Sequence, residues 1–268
     1  MSSGVPSFRS DRIDTTPIDP LVEVLDLQAG LPGIVRLRAW GRQALAAQPG
    51  ERVLDVGSGT GTETQTLAAA VGPDGDAVGV EPNPAMREVA ERRAAQAASS
   101  ARFVHGEATD LPFPDDTFDA VRSERVFQHL AEPDRAAAEI ARVVRPGGRV
   151  VLIDTDWATA IMHPGEPAVI RAITETMLAN VANPYAGRRL AGWLTAAGLR
   201  VTDIGSQALL QGPEVIEGPM VAMLTDRALA AGAITAGQRE RLIADLAEGA
   251  RVGDFHMSVT MFAVLAHR

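Results

Sequence analysis

The sequence predicts an α/β fold built on a parallel, doubly wound sheet, and three features carry that prediction. From Arg52 onward, apolar stretches of strand length alternate with amphipathic stretches of helix length, the pattern that puts crossover helices between parallel strands. The first apolar run, Arg52–Val56, enters the turn Gly57-Ser58-Gly59-Thr60-Gly61 and a helix-like segment follows at once. Glycines there permit positive φ and let backbone N–H groups approach a ligand. The second apolar run ends in Glu81, 24 positions beyond Gly57, where such a sheet places an acceptor for both hydroxyls of a ribose. A surface carboxylate ahead of Pro82 is the plainer alternative.

Each element follows from its local pattern. Residues 1–19 are polar and contain Pro6 and Pro17, which predicts a flexible N-terminal arm that orders only over bound ligand. Residues 20–268 then form a single domain, opening with helices at 21–29 and 34–47. Strands are expected at 52–56, 77–81, 102–105, 118–123 and 149–154, with helices at 62–71, 84–97 and 133–144 between them. Asp74-Gly75 and Pro146-Gly147-Gly148 supply turns. Past Asp154 the rhythm changes: helical patterns at 167–181 and 186–197, an extended stretch at 200–210, two more helical patterns within 213–253, and a terminal strand at 257–266. If the last two strands pair, some forty residues replace a tight hairpin, and long insertions of this kind are usually functional. The segments near 155–197 and 212–254 are therefore expected to form a helical cap over the site mouth. Helices that only shield the sheet, or that join two copies into a homodimer, are the alternative.

Composition narrows the chemistry. With 46% hydrophobic residues among 268, the chain can bury a full core. No apolar run reaches the ~18 residues of a membrane span, and the start lacks the layout of a signal peptide, so a cytoplasmic protein is expected. Cysteine is absent and all 25 cationic residues are arginine. That removes a thiolate nucleophile, a Schiff-base lysine and the lysine of a P-loop. A net charge of −9 argues against a nucleic-acid partner. No carboxylate and histidine cluster has metal-ligand spacing, so no metal is expected.

Asp55 precedes Gly57 by two residues. A carboxylate there repels a diphosphate and attracts a ligand carrying an ammonium group, as S-adenosylmethionine does. A G-x-G-x-x-G fingerprint starting at Gly57 needs glycine where Thr62 stands, which disfavours a dinucleotide. Beyond the third strand, Gly106-Glu107-Ala108 makes a polar turn. Glu107 is placed there to accept from an adenine amino group, and the Ala108 N–H to donate to a ring nitrogen.

Several ordered stretches together resemble the class I S-adenosylmethionine-dependent methyltransferases, in particular the small-molecule group that includes ubiquinone and menaquinone biosynthesis enzymes. They are Val53–Gly61, Val80-Glu81-Pro82-Asn83, Gly106-Glu107-Ala108, Leu111-Pro112-Phe113, Phe118-Asp119-Ala120-Val121, Gln128-His129-Leu130 and Val143–Arg149, within about Gly50 to Asp154. The resemblance implies a Rossmann-like, seven-stranded sheet in the order 3-2-1-4-5-7-6 with the last strand antiparallel. It also implies that Asp55, Gly57, Ser58, Gly59 and Gly61 face the methionyl part, Glu81 and Pro82 the ribose, and Gly106, Glu107 and Ala108 the adenine. Met86 would pack on adenine, the Ser123 carbonyl would accept from the methionyl ammonium, and Gln128 would complete the cofactor set. Family members often carry Asp where Glu107 stands. The family anchors the methionyl carboxylate from its N-terminal helices, for which Gln28, Arg36 and Arg38 are candidates and Arg36 the choice.

Methyl transfer is an in-line displacement at an activated sulfonium, so the protein chiefly aligns groups and excludes water. Of the five histidines, His129 matches a family position near the acceptor and suits a general base; capping or packing a short helix is its other reading. Asp156 could orient or deprotonate an acceptor and Trp157 could stack on it, against plain capping and core burial. His163, Tyr185 and His256 lie in or beside the insertions, where acceptor specificity would reside. The leading expectation is transfer of methyl to O, N or C of an apolar or amphipathic small molecule, in secondary-metabolite or quinone biosynthesis. The alternatives are a cofactor-retaining enzyme such as a cyclase on the same fold and a cofactor-sensing binding protein.

Overall fold

The computed structural model describes residues 18–268. The arm expected over residues 1–19 thus lies almost wholly outside the described residues, and its last two positions already belong to the first helix. Two helices, α1 (Ile18–Ala29) and α2 (Pro32–Leu45), lead into β1 (Arg52–Val56), α3 (Thr62–Val71), β2 (Asp76–Val80), α4 (Pro84–Gln96), β3 (Arg102–Val104), β4 (Phe118–Glu124) and α5 (Pro133–Val143). Then come β5 (Val144–His163), α6 (Pro167–Ala179), α7 (Ala186–Ala196), β6 (Arg200–Gln211), α8 (Pro219–Ala230), α9 (Ala236–Val252) and β7 (His256–His267).

The seven strands lie in the order β3-β2-β1-β4-β5-β7-β6, with β7 antiparallel to both of its neighbours. The doubly wound expectation and the strand order implied by the resemblance both hold. Alternation along the strands splits the core in two. Leu54, Val56, Val121 and Leu152 face α5 and α7, while Val53, Ala77, Ala120 and Val151 face α2 and α3. Helix ends follow their sequence signals. Asn83 accepts from the N–H groups of Ala85 (2.9 Å) and Met86 (3.1 Å) with Pro84 in the first turn of α4. Thr235 and Gln238 form a capping box on α9, which stops at Gly253 with φ 80°.

Two elements depart from the sequence expectation. β5 was expected at 149–154 and instead extends to His163, because β7 runs beside it as far as His256. The extra length is decided by a partner strand about a hundred residues away, across a register shift between Asp156 and Ile161. The second departure is α7, placed by its sequence position in the first cap insertion. It packs on the sheet, with Leu190, Trp193 and Leu194 fully or almost fully buried and the Trp193 ring stacked 5.6 Å from Phe127. The other inserted helices, α6, α8 and α9, close a separate small core of Val169, Ile173, Val221, Leu242, Leu246 and Met257. It stands on the extended ends of β5 and β7.

Leu194 is wholly buried at the sheet, so truncating it leaves a void that the surroundings fill only in part. Leu194→Ala is expected to cost about 2–5 kcal/mol, and Leu229→Ala on the exposed side of α8 under about 0.5 kcal/mol, both measured by urea unfolding.

Candidate active site

The turn between β1 and α3 has φ of 73° at Gly57, 52° at Gly59 and 80° at Gly61, conformations that L side chains rarely adopt. Gly57 is doubly constrained, since a Cβ there would sit 2.3 Å from Cγ2 of Val126. Gly59 is constrained differently: the nearest neighbour a Cβ would meet is Leu25 of α1, 3.7 Å away, so this glycine faces a cradle rather than packed core. The turn is tied to the next strand by N–H donation from Gly57 (2.8 Å) and Ser58 (3.0 Å) to the Val80 carbonyl. It is tied again by Glu81, whose two carboxylate oxygens accept from the N–H groups of Gly59 and Asn83, each at 3.0 Å. Burial pushes the Glu81 carboxyl up, and the Asn83 and Gly59 donors pull against it. Each oxygen keeps a lone pair that can accept from a further hydroxyl. Ser58 Oγ is buried in the same turn with no partner among the described residues. A glycine turn that is uncrowded at Gly59 and a carboxylate with lone pairs to spare fit a nucleoside in this position.

The turn after β3 adjoins this cradle. Gly106 backs onto Pro112 and Val80, where a Cβ would lie 2.8 Å and 3.0 Å from their side chains. Ala108 is buried and the Asp110 N–H closes the turn on the Glu107 carbonyl at 3.1 Å. The Glu107 carboxyl is half-buried and displaced upward by burial. Met86 is buried at the start of α4, and Pro82 lies half-buried beside Glu81.

Beneath the turn the structure overturns one expectation. Asp55 is not a free carboxylate awaiting an ammonium group. It accepts from Arg122 Nη1 at 2.9 Å and from Thr64 Oγ1 at 2.8 Å, and is 2% exposed. Arg122 stands opposite Asp55 in the β1–β4 register and also bonds Glu124 at 2.7 Å. Glu124 receives two further nitrogens from Arg38, and Glu63 pairs with Arg42 at 3.0 Å. Burial alone would raise the Glu124 carboxyl, but Arg125, Arg122 and Arg38 beside it hold it down at about 2. Between these charges Ser123 turns its hydroxyl to the Val56 carbonyl at 2.9 Å. Arg36, chosen from sequence as the carboxylate anchor, is also corrected. It lies exposed on the outer side of α2 and donates to Gln207 of β6 at 3.2 Å. Helical phase, which a short segment does not specify, turned Arg38 inward in its place.

A second polar assembly surrounds the 3-10 turn Phe127–His129 that follows β4. Asp154, wholly buried at the end of the conventional part of β5, accepts from the N–H groups of Thr155 (2.7 Å) and Gln128 (3.2 Å). Burial raises its carboxyl to about 7 against those donors and the nearby Arg125. Asn183 clamps the other side, donating to the carbonyls of Phe127 (2.9 Å) and Leu130 (2.6 Å). The Gln128 side chain is consumed inside this assembly: it accepts from Trp157 Nε1 at 2.6 Å and donates to the Arg125 carbonyl at 3.3 Å. It therefore fixes the Trp157 ring rather than a cofactor atom. His129 ends the turn, half-buried.

The remaining candidates separate. Asp156 is not an available base, because Arg188 grips both of its oxygens, one through Nη2 at 2.9 Å and the other through Nε. The same guanidinium stacks over the partly exposed Tyr185 ring at 5.3 Å, so that ring serves as a support for the ion pair. His163 pairs with Asp254 at 3.1 Å and His256 with Ser258 at 2.9 Å. His163 lies nine residues beyond Asp154 along β5, up to about 30 Å of extended strand, and His256 is its direct neighbour on β7. Both are exposed cap-end residues remote from the glycine cradle. Asp154, Asn183, Arg122 and Arg125 are the residues that sequence reasoning passed over. Among the described residues no group of three or more His, Cys, Asp or Glu side chains converges as a metal site, and no helix is long and apolar enough to cross a membrane.

A family model described as a methyltransferase domain matches residues 54–152. The chain is 32% identical over 260 residues to an uncharacterized 37.1 kDa protein of a Streptomyces fradiae transposon, covering 96% of this chain and 74% of that one. It is 32% identical over 184 residues to a 2-phytyl-1,4-naphtoquinone methyltransferase of Synechococcus elongatus, covering 67% of this chain and 74% of the relative. Among solved structures, a SAM dependent methyltransferase from Aquifex aeolicus superposes with a TM-score of 0.53 at 21% identity, covering 71% of this chain and 92% of that one.

Asp154 gives a pH test. Its carboxyl titrates at about 7 in the folded chain against 3.8 for an ordinary aspartate, so across that window the native state holds a proton that the unfolded state has lost. Stability is expected to fall as pH rises from about 4 to 7. Asp154→Asn removes this component, which urea unfolding at several pH values will read as a flatter stability profile.

Proposed function

The chain belongs to the S-adenosylmethionine-dependent methyltransferases, and from that premise we propose that its acceptor is a small apolar or amphipathic metabolite, methylated on O, N or C, with a quinone-like or phenolic ring as the leading class. The observation that carries the nucleoside half of this reading is Glu81, held by the Gly59 and Asn83 N–H groups with lone pairs to spare. The acceptor half rests on Trp157, an aromatic face fixed by Gln128 next to the strand ends, and on the quinone substrate in the relative's name. A net charge of −9 supports a metabolite over a nucleic acid.

When bound, the cofactor supplies a sulfonium whose methyl group is already electrophilic. The protein's part is alignment and exclusion of water. In this assignment Glu81 holds the ribose, with Pro82 and Met86 closing the neighbouring wall. Glu107 and the Ala108 N–H receive the adenine edge at the Gly106 turn. The backbone carbonyls of Gly57 and Ser123 take the methionyl ammonium, since Asp55 is already committed to Arg122. Ser58, Gly59 and Gly61 line the same turn. Trp157 orients the acceptor ring, and His129 takes the acceptor's proton where one must leave. Asp154 and Asn183 act through the turn that carries His129, as positioning residues.

Incubation with methyl-labelled S-adenosylmethionine and a panel of hydroquinones, phenols and amines is expected to place label on a ring-bearing product. Tight cofactor binding with no labelled product from any of them would instead make the protein a cofactor sensor. Glu81→Ala is expected to weaken cofactor binding roughly 10- to 100-fold, as for lost hydrogen bonds to a charged group. His129→Ala is expected to lower kcat about 10²- to 10⁴-fold with cofactor affinity nearly unchanged, read by steady-state kinetics beside calorimetry.

A further inference from the structure

A ring of contacts surrounds the space beside the glycine turn. Gly57 backs onto Val126, and Gly59 faces Leu25 of α1. One helical turn after Leu25, Gln28 accepts from Nη1 of Arg125, the residue directly before Val126. α1 therefore bridges from the glycine cradle to the end of β4, and its Asp26 is tied down to Arg93 of α4 at 2.7 Å. Arg125 crowns this ring. Its backbone takes a left-handed conformation, φ 58°, which costs a non-glycine residue energy and persists only where the surroundings enforce it. That conformation is held by donation from the Arg125 N–H to the Ile153 carbonyl at 2.8 Å.

The charges around it are unevenly hydrogen-bonded. Arg38, Arg42, Arg122 and Arg125 form ion pairs with Asp55, Glu63 and Glu124 among the described residues. Glu124 spends both oxygens on Arg38 and Arg122. Arg125 Nε is ion-paired with Glu124 at 3.3 Å, but it is buried with no hydrogen-bond partner among the described residues. Asp154 is also near, but its oxygens are turned to the N–H groups of Thr155 and Gln128. A guanidinium whose Nε has no hydrogen bond, next to the turn assigned to the methionyl part, suits a carboxylate.

Resting on the cofactor reading above, we infer that Arg125, presented by the end of β4 and steadied by Gln28, anchors the methionyl carboxylate of S-adenosylmethionine. The anchor then comes from the strand edge, with the N-terminal helix contributing the amide that orients it. Arg38, the inward-facing arginine of α2, is excluded from the role because its guanidinium is already bidentate on Glu124.

The test needs no methyl acceptor. Calorimetry compares S-adenosylmethionine with its decarboxylated analogue, which keeps the ammonium and the nucleoside. The unaltered protein is expected to prefer the carboxylate-bearing ligand by roughly 10- to 100-fold. Arg125→Gln should bring that ratio close to one by weakening only S-adenosylmethionine, and Arg125→Lys should retain part of it. Equal affinities in the unaltered protein would overturn the inference even if no variant folds. So would an Arg125→Gln protein that keeps the full preference, or one that loses both ligands equally. Failure of the unaltered protein to bind either ligand would be a different result, removing the cofactor reading itself.

Discussion

Asp55 and Arg122 share a buried ion pair between the first and fourth strands, and the site above depends on it. Removing two charges from water costs several kcal/mol per ion unless geometry and further hydrogen bonds compensate. Here the compensation is spread over a lattice: Thr64 completes Asp55, Glu124 completes Arg122, and Arg38 completes Glu124. Such a lattice is satisfied in one register only. A one-residue slip of β4 against β1 would turn Arg122 to the α5 side and leave Asp55 as an uncompensated buried charge. The pair thus couples the register of the sheet to the place where the glycine turn and the β4 end face each other.

That coupling also divides the work of the site. The acid that opens the glycine turn is occupied in holding the framework, so in the proposed function recognition passes to other groups. These are the Glu81 lone pairs, backbone carbonyls at the strand ends, and the Arg125 guanidinium. On the opposite face of the sheet the Phe127–His129 turn shows the same division. Asp154, Asn183 and Gln128 use their polar atoms on the turn and on Trp157, which fixes the backbone that carries His129 and the setting of the indole ring. In the proposed function such rigid supports align a nucleophile without ordering costs at the moment of reaction.

The long β5 and β7 strands extend the sheet and carry three helices with their own small core. The exposed His163 and His256 lie at this end of the sheet, where they contact Asp254 and Ser258.

Much of the fold was legible in the chain itself. Alternating apolar runs, the glycine turn, the acid 24 residues later and the prolines and Asn83 at helix starts are local signals, written within a few residues of the feature they specify. They determined the sheet, its crossover helices, and the positions of Gly57, Gly59 and Glu81. Only the tertiary structure decided that Asp55 is paired, that Arg38 rather than Arg36 turns inward, that Arg188 closes Asp156, that β5 runs on to His163, and that α7 belongs to the core. Each of these depends on a partner on another element, whose strand register, helical phase or pairing length cannot be read from the residues alone. A carboxylate in a sequence shows only that charge is present; whether it is spent on the fold or left for a ligand is settled by what packing brings beside it.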